Sequence, residues 1–186
     1  MNQFGFIMVL VSIIISLGIA ELLTGVVRLV RIRGATRYYW VHGILTAIIF
    51  VALLQQWWET WDLRDVPQWN FLALILLLMA PICLFMISHL LFPDPTTEVD
   101  IEAYYYGSMR PIWALGIFAI VGSTSFRPIV FGGTIFTLNN ATSFLGLIAF
   151  AALMYTSRRR IHEFTLPIVL TALLYDVLWW TPVIGQ

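Results

Sequence analysis

Six apolar stretches, each near the roughly 20 residues needed to cross a hydrocarbon core ~30 Å thick, occupy most of this chain. Their lengths predict an all-α integral membrane protein, a six-transmembrane-helix bundle forming a single transmembrane domain over 1–186. The expected spans lie near 4–27, 39–58, 70–92, 111–126, 131–155 and 164–182. The fourth run is short and stops at Arg127-Pro128 before another apolar stretch, so 111–155 admits more than one division into helices. Apolar residues make up 60% of the chain and charged ones 11%, which leaves little material for a water-soluble domain.

The arginines test that count. Loops on the cytoplasmic side carry an excess of positive charge. The first connection holds Arg28, Arg31, Arg33 and Arg37, the third Arg110, and the fifth Arg158, Arg159 and Arg160. Only Arg64 and Arg127 fall in even-numbered connections. This asymmetry places both termini outside and the arginine-rich loops in the cytoplasm. The first span is expected to be retained as a helix, because Met1-Asn2-Gln3 lacks the basic front of a signal peptide, although Gly18-Ile19-Ala20 resembles a cleavage site. Aromatic residues mark the boundaries, where an indole is half buried and its N–H solvated. Trp57, Trp58, Trp61, Trp69, Trp179 and Trp180 define an outer belt, and Tyr38, Tyr39, Trp40 and Trp113 an inner one.

Between the third and fourth spans, Pro93 and Pro95 end one helix, and Thr97 with Asp100 has the spacing of a cap. A short cytoplasmic interfacial helix near 97–106, ended by Gly107, is expected. Residues 48–53 echo 148–153 in the second and fifth spans, which is compatible with a 3+3 inverted repeat. On the first helix Ser12, Ser16, Ala20 and Thr24 recur every four residues. Such a ridge allows the close approach by which helices associate in lipid, so this helix is expected at the bundle centre or at an oligomer contact. Gly18 and Gly25 flank Glu21 and would let a second group come near it.

An acid inside a span costs ~2.5–3.5 kcal/mol on insertion scales and must face protein or water. Glu21 and Asp176 are the two acids well inside. Glu21 shares an inner level with His42 and His89, while Asp176 is level with Gln55, Gln56, Asn139 and Asn140. Two such layers suit a proton or small-solute route; the plainer alternative is mutual satisfaction by interhelical hydrogen bonds. His42 and His89 also form a candidate bis-histidine haem site, with Gly43 leaving room for a ring. No cofactor is otherwise called for. No metal is either, since short ligand spacings are missing.

Several classes are excluded. The chain has no lysine, hence no Walker lysine and no retinal or pyridoxal Schiff base. Its one cysteine, Cys83, forms no intrachain disulfide. Hydrolase, zincin and dinucleotide-binding fingerprints are absent, and enzyme activity is not expected. Zero net charge gives no argument for nucleic acid.

The segments Gly18-Ile19-Ala20-Glu21-Leu22-Leu23-Thr24-Gly25 and 56–65, Gln56-Trp57-Trp58-Glu59-Thr60-Trp61-Asp62-Leu63-Arg64-Asp65, resemble those of small bacterial multi-pass membrane proteins of unassigned function. That resemblance implies an inner-membrane location and supplies no activity. The leading expectation is a channel or carrier for protons or a small solute, with Glu21 and Asp176 handling charge, His42 and His89 titrating on the inner side, and Gln55, Asn139 and Asn140 lining the wall. The alternative is a non-catalytic membrane subunit or sensor that meets a cytoplasmic protein partner through its loops. Either is expected to be a homo-oligomer in the lipid bilayer.

Overall fold

The computed structural model describes residues 3–32, 36–66, 69–94, 99–132, 134–137 and 140–179. Six helices follow one another: α1 (Gln3–Ile32), α2 (Trp40–Glu59), α3 (Phe71–Leu90), α4 (Ile101–Phe131), α5 (Ala141–Tyr155) and α6 (Arg159–Trp179). Five are long and apolar enough to span a bilayer, and α5, with 15 residues, is shorter. At 1.5 Å per residue α5 reaches only ~22 Å, short of a hydrocarbon core ~30 Å thick. The protein is a multi-pass membrane helix bundle.

Neighbour contacts place the helices in a ring, α1–α3–α4–α5–α6–α2 and back to α1, with α2 also touching α3 and, more lightly, α4. The bundle alternates direction, so it has two distinct ends. At the arginine-rich end Gly25 meets Phe92 and Tyr39 meets Tyr106. At the far end Ser12 meets Trp57 and Arg127 meets Asp62. Between them lies an apolar core that includes Val11, Ile15, Leu45, Ile49, Leu53, Ile87 and Leu153. The halves do not exchange neighbours as an inverted 3+3 repeat requires: α1 lies along α3, whereas the chief neighbours of α4 are α3 and α5.

The interfacial helix expected near 97–106 is not a separate element. Asp100 caps a helix that starts at Ile101, its side chain accepting from the Ala103 amide at 3.0 Å, and this helix runs through Gly107 and Pro111 to Phe131. Thr97 lies outside the described residues. Continuity has a packing cause: Tyr105, Met109, Ile112 and Trp113 form one buried stripe across the Pro111 junction, while the proline removes a single backbone donor. Arg127-Pro128 likewise lies within α4, which ends at Gly132 with φ 72°, a conformation that suits glycine after a helix. The expected fifth span therefore loses its first part and begins at Ala141.

Two residues of the α1–α2 connection, Thr36–Arg37, pair in parallel with Val99–Asp100 before α4. The pairing clasps two loops at the arginine-rich end, with Arg37 3.9 Å from Asp100. On α3 the Asn70 side chain caps the first turn by accepting from the Ala73 amide at 2.8 Å. The aromatic map needs correction at the arginine-rich end. Trp113 and Tyr39 are buried against other rings rather than lying in a boundary belt, whereas Tyr38, Trp40, Trp57, Trp58, Trp61 and Trp179 are exposed. Trp180 lies outside the described residues.

Candidate functional site

At the far end three helices bring polar side chains together. Gln55 and Glu59 are four residues apart on α2 and therefore share a face. Gln55 Nε2 donates to Glu59 Oε1 at 2.8 Å and to Asp176 Oδ2 of α6 at 2.8 Å. An amide nitrogen has two hydrogens, so one neutral group is divided between two carboxylates. Thr142 at the start of α5 donates to the second oxygen of Asp176 at 3.3 Å. Beyond Glu59 lies a small cavity of about 30 Å³ lined by Gln56, Thr60, Ser123 and Arg127 among others, large enough for a water molecule. Arg127 Nη2 donates to Asp62 at 2.9 Å and closes the cluster toward solvent.

The expected level of Gln55 with Asp176 is therefore realised as a direct contact. Asn140 is turned elsewhere, its Nδ2 donating to the Ile135 carbonyl at 2.7 Å in the turn before α5. Asn139 lies outside the described residues.

At the arginine-rich end the three residues expected to share a layer divide into two environments. His89 Nδ1 and Glu21 Oε1 stand 3.0 Å apart on the outside of the α1–α3 seam. His42 is buried, its Nε2 2.8 Å from the Leu91 carbonyl and its ring edge-on to Phe92. A carbonyl only accepts, so Nε2 of His42 carries the proton. The two imidazoles thus engage different partners and face different surroundings. Among the described residues no group of three or more His, Cys, Asp or Glu side chains is placed to hold a metal. The glycines beside Glu21 receive large side chains: the Phe92 ring lies over Gly25, and Leu53 packs against Gly18.

No family model, curated protein or solved structure matches this chain. Its chemistry has to be read from its own side chains.

Two groups escaped the sequence reading. Glu59 is one, four residues from Gln55 and so on the same face of α2. His162 is fully buried at the start of α6, accepting from the Tyr105 hydroxyl through Nδ1 at 2.8 Å and donating from Nε2 to the Thr156 carbonyl at 2.8 Å. Tyr105, Tyr106 and Trp113 surround its ring, and Arg159 lies over the neighbouring Tyr39. Nothing local in the sequence marks that histidine, because every partner except Thr156 comes from α4.

Proposed function

We propose that the protein is an inner-membrane carrier or channel for protons or a small solute, whose binding station is the Gln55–Glu59–Asp176 cluster at the far end. One observation supports this above the others: two carboxylates in apolar helices divide a single neutral amide between them. Carboxylates so placed have oxygen lone pairs to offer a proton or a polar solute, and intramembrane acids mark such routes. The positive-inside rule places the arginine-rich end in the cytoplasm and both termini outside, so the station faces the outer side. Leu45, Ile48, Ile49 and Leu53 of α2 are buried between this station and the other end. Passage therefore requires the bundle to part along α2.

Proton flux into liposomes containing purified protein tests the reading. Glu59→Gln and Asp176→Asn should each reduce flux at unchanged incorporation, while His42→Gln, remote from the station, should not. Absence of flux from the unmodified protein under either direction of gradient would overturn it. A second reading, a subunit or sensor docking a cytoplasmic partner, is favoured by the loop clasp between Thr36–Arg37 and Val99–Asp100, which holds two loops as one surface. Flux-inactive protein that co-purifies with a defined second component would select that alternative.

A further inference from the structure

The cavity beyond Glu59 borders both the far-end station and Arg127, and its size and lining limit what can use it. It measures about 30 Å³, close to the volume that one water molecule takes up in the liquid. Leu63, Leu77 and Phe126, all buried, form its apolar wall, while Glu59, Thr60, Ser123 and Arg127 bring polar groups to it.

The oxygens of that lining are acceptors. Thr60 Oγ1 donates to the Gln56 carbonyl at 2.7 Å and Ser123 Oγ to the Ile120 carbonyl at 3.1 Å. Each hydroxyl has therefore engaged its hydrogen on a carbonyl of its own segment and keeps lone pairs for another group. Glu59 accepts from Gln55 through Oε1, and its Oε2 has no hydrogen-bond partner among the described residues. A held water needs two to four polar partners, which these acceptors and the Arg127 donors supply. The charged groups around Glu59 are Arg127 of α4, Asp176 of α6 and Asp62. A guest anion would meet three carboxylates, and a metal cation would share the space with the Arg127 guanidinium. A sugar, amino acid or polyol exceeds the volume. A proton adds no volume and travels on the water that fits.

We propose that the cargo of the far-end station is the proton, which reaches Glu59 through a water held in this cavity. The water takes one proton from the outer side and gives one to Oε2 of Glu59, so the water is regenerated and the carboxylate becomes a neutral carboxyl group. The hydronium formed in passing has three hydrogens, matched in number by Glu59 and the Thr60 and Ser123 oxygens. This inference rests on the carrier or channel reading of the station and names its substrate.

The test uses the full chain in liposomes, with fluxes of protons, sodium and urea followed separately. Proton flux that Glu59→Gln reduces, without uptake of sodium or urea, is the expected result. Ser123 is exposed, so a reagent can reach it. In a Cys83→Ala background, which removes the single cysteine, Ser123→Cys treated with benzyl methanethiosulfonate places a ring at the cavity. Proton flux should then fall about tenfold relative to the same vesicles before treatment. Uptake of sodium or urea that Glu59→Gln abolishes would overturn the inference and leave the carrier or channel reading standing. Absence of every flux would overturn both, and proton flux undiminished at complete labelling would overturn the water route. The comparison of the three cargoes uses the unmodified protein, so it decides even where the cysteine variant folds poorly.

Discussion

The Gln55–Asp176 contact permits a quantitative test of what holds α6 to the bundle. The two hydrogen bonds of Gln55 differ in kind: that to Glu59 lies within α2, and that to Asp176 joins α2 to α6. When a membrane bundle comes apart, its helices persist in lipid, so only the interhelical bond contributes to tertiary stability. Such bonds average about 0.6 kcal/mol and reach about 1.7 kcal/mol. The short distance of 2.8 Å places Gln55–Asp176 in the upper part of that range, at roughly 1–1.7 kcal/mol. The corresponding change in the folding equilibrium is a factor of roughly 5–20. A double-mutant cycle of Gln55→Leu and Asp176→Leu, measured by reversible unfolding in mixed micelles, isolates this term. The loss of Thr142 from Asp176 is common to both legs and cancels. The parallel cycle of Gln55→Leu with Glu59→Leu should give a coupling near zero. A Gln55/Asp176 coupling under about 0.3 kcal/mol, or an equally large Gln55/Glu59 coupling, would refute the reasoning.

Two further outcomes test the packing. Gly25→Val drives a side chain into the Phe92 ring and should cost about 1–3 kcal/mol in detergent unfolding, with partial recovery when combined with Phe92→Ala. His162→Leu strands the Tyr105 hydroxyl and the Thr156 carbonyl and should cost about 1–3 kcal/mol. Adding Tyr105→Phe to it should cost less than the two single losses together, which thermal unfolding of the set of variants will show.

Legibility in the sequence followed the physics of each feature. Hydropathy is a property of a window, so the spans of α1, α2, α3 and α6 were readable from residue order alone. The division of 111–155 was not, because two prolines and an arginine look like a loop until the buried stripe from Tyr105 to Trp113 is known to face α5 and α6. Depth could also be read, which is why Gln55 and Asp176 were expected at one level and do meet. Azimuth could not. His89 and His42 have similar depth, yet one turns out along the seam with α1 and the other inward onto Leu91. His162 is hidden for the same reason: its Tyr105 partner lies on α4, and rotation about a helix axis is set by the neighbours it packs against.

The far-end carboxylates acquire a mechanical meaning from the packing of α6. Only His162 and Leu166 of this helix are buried, both in its first half. Beyond Pro167 it exposes Ile168, Leu174, Tyr175, Leu178 and Trp179, so few apolar contacts fix its far half. Polar contacts there include those of Asp176 to Gln55 and Thr142. A proline inside the helix has already removed one backbone bond, between the anchored half and the exposed one. Anything that competes for the Gln55 amide, whether a proton taken by Asp176 or a polar solute, therefore acts first on the element least held by the core. If the station works as proposed, labels reporting the distance between α2 and α6 near residue 176 should move on ligand exchange, and those near His162 should stay in place.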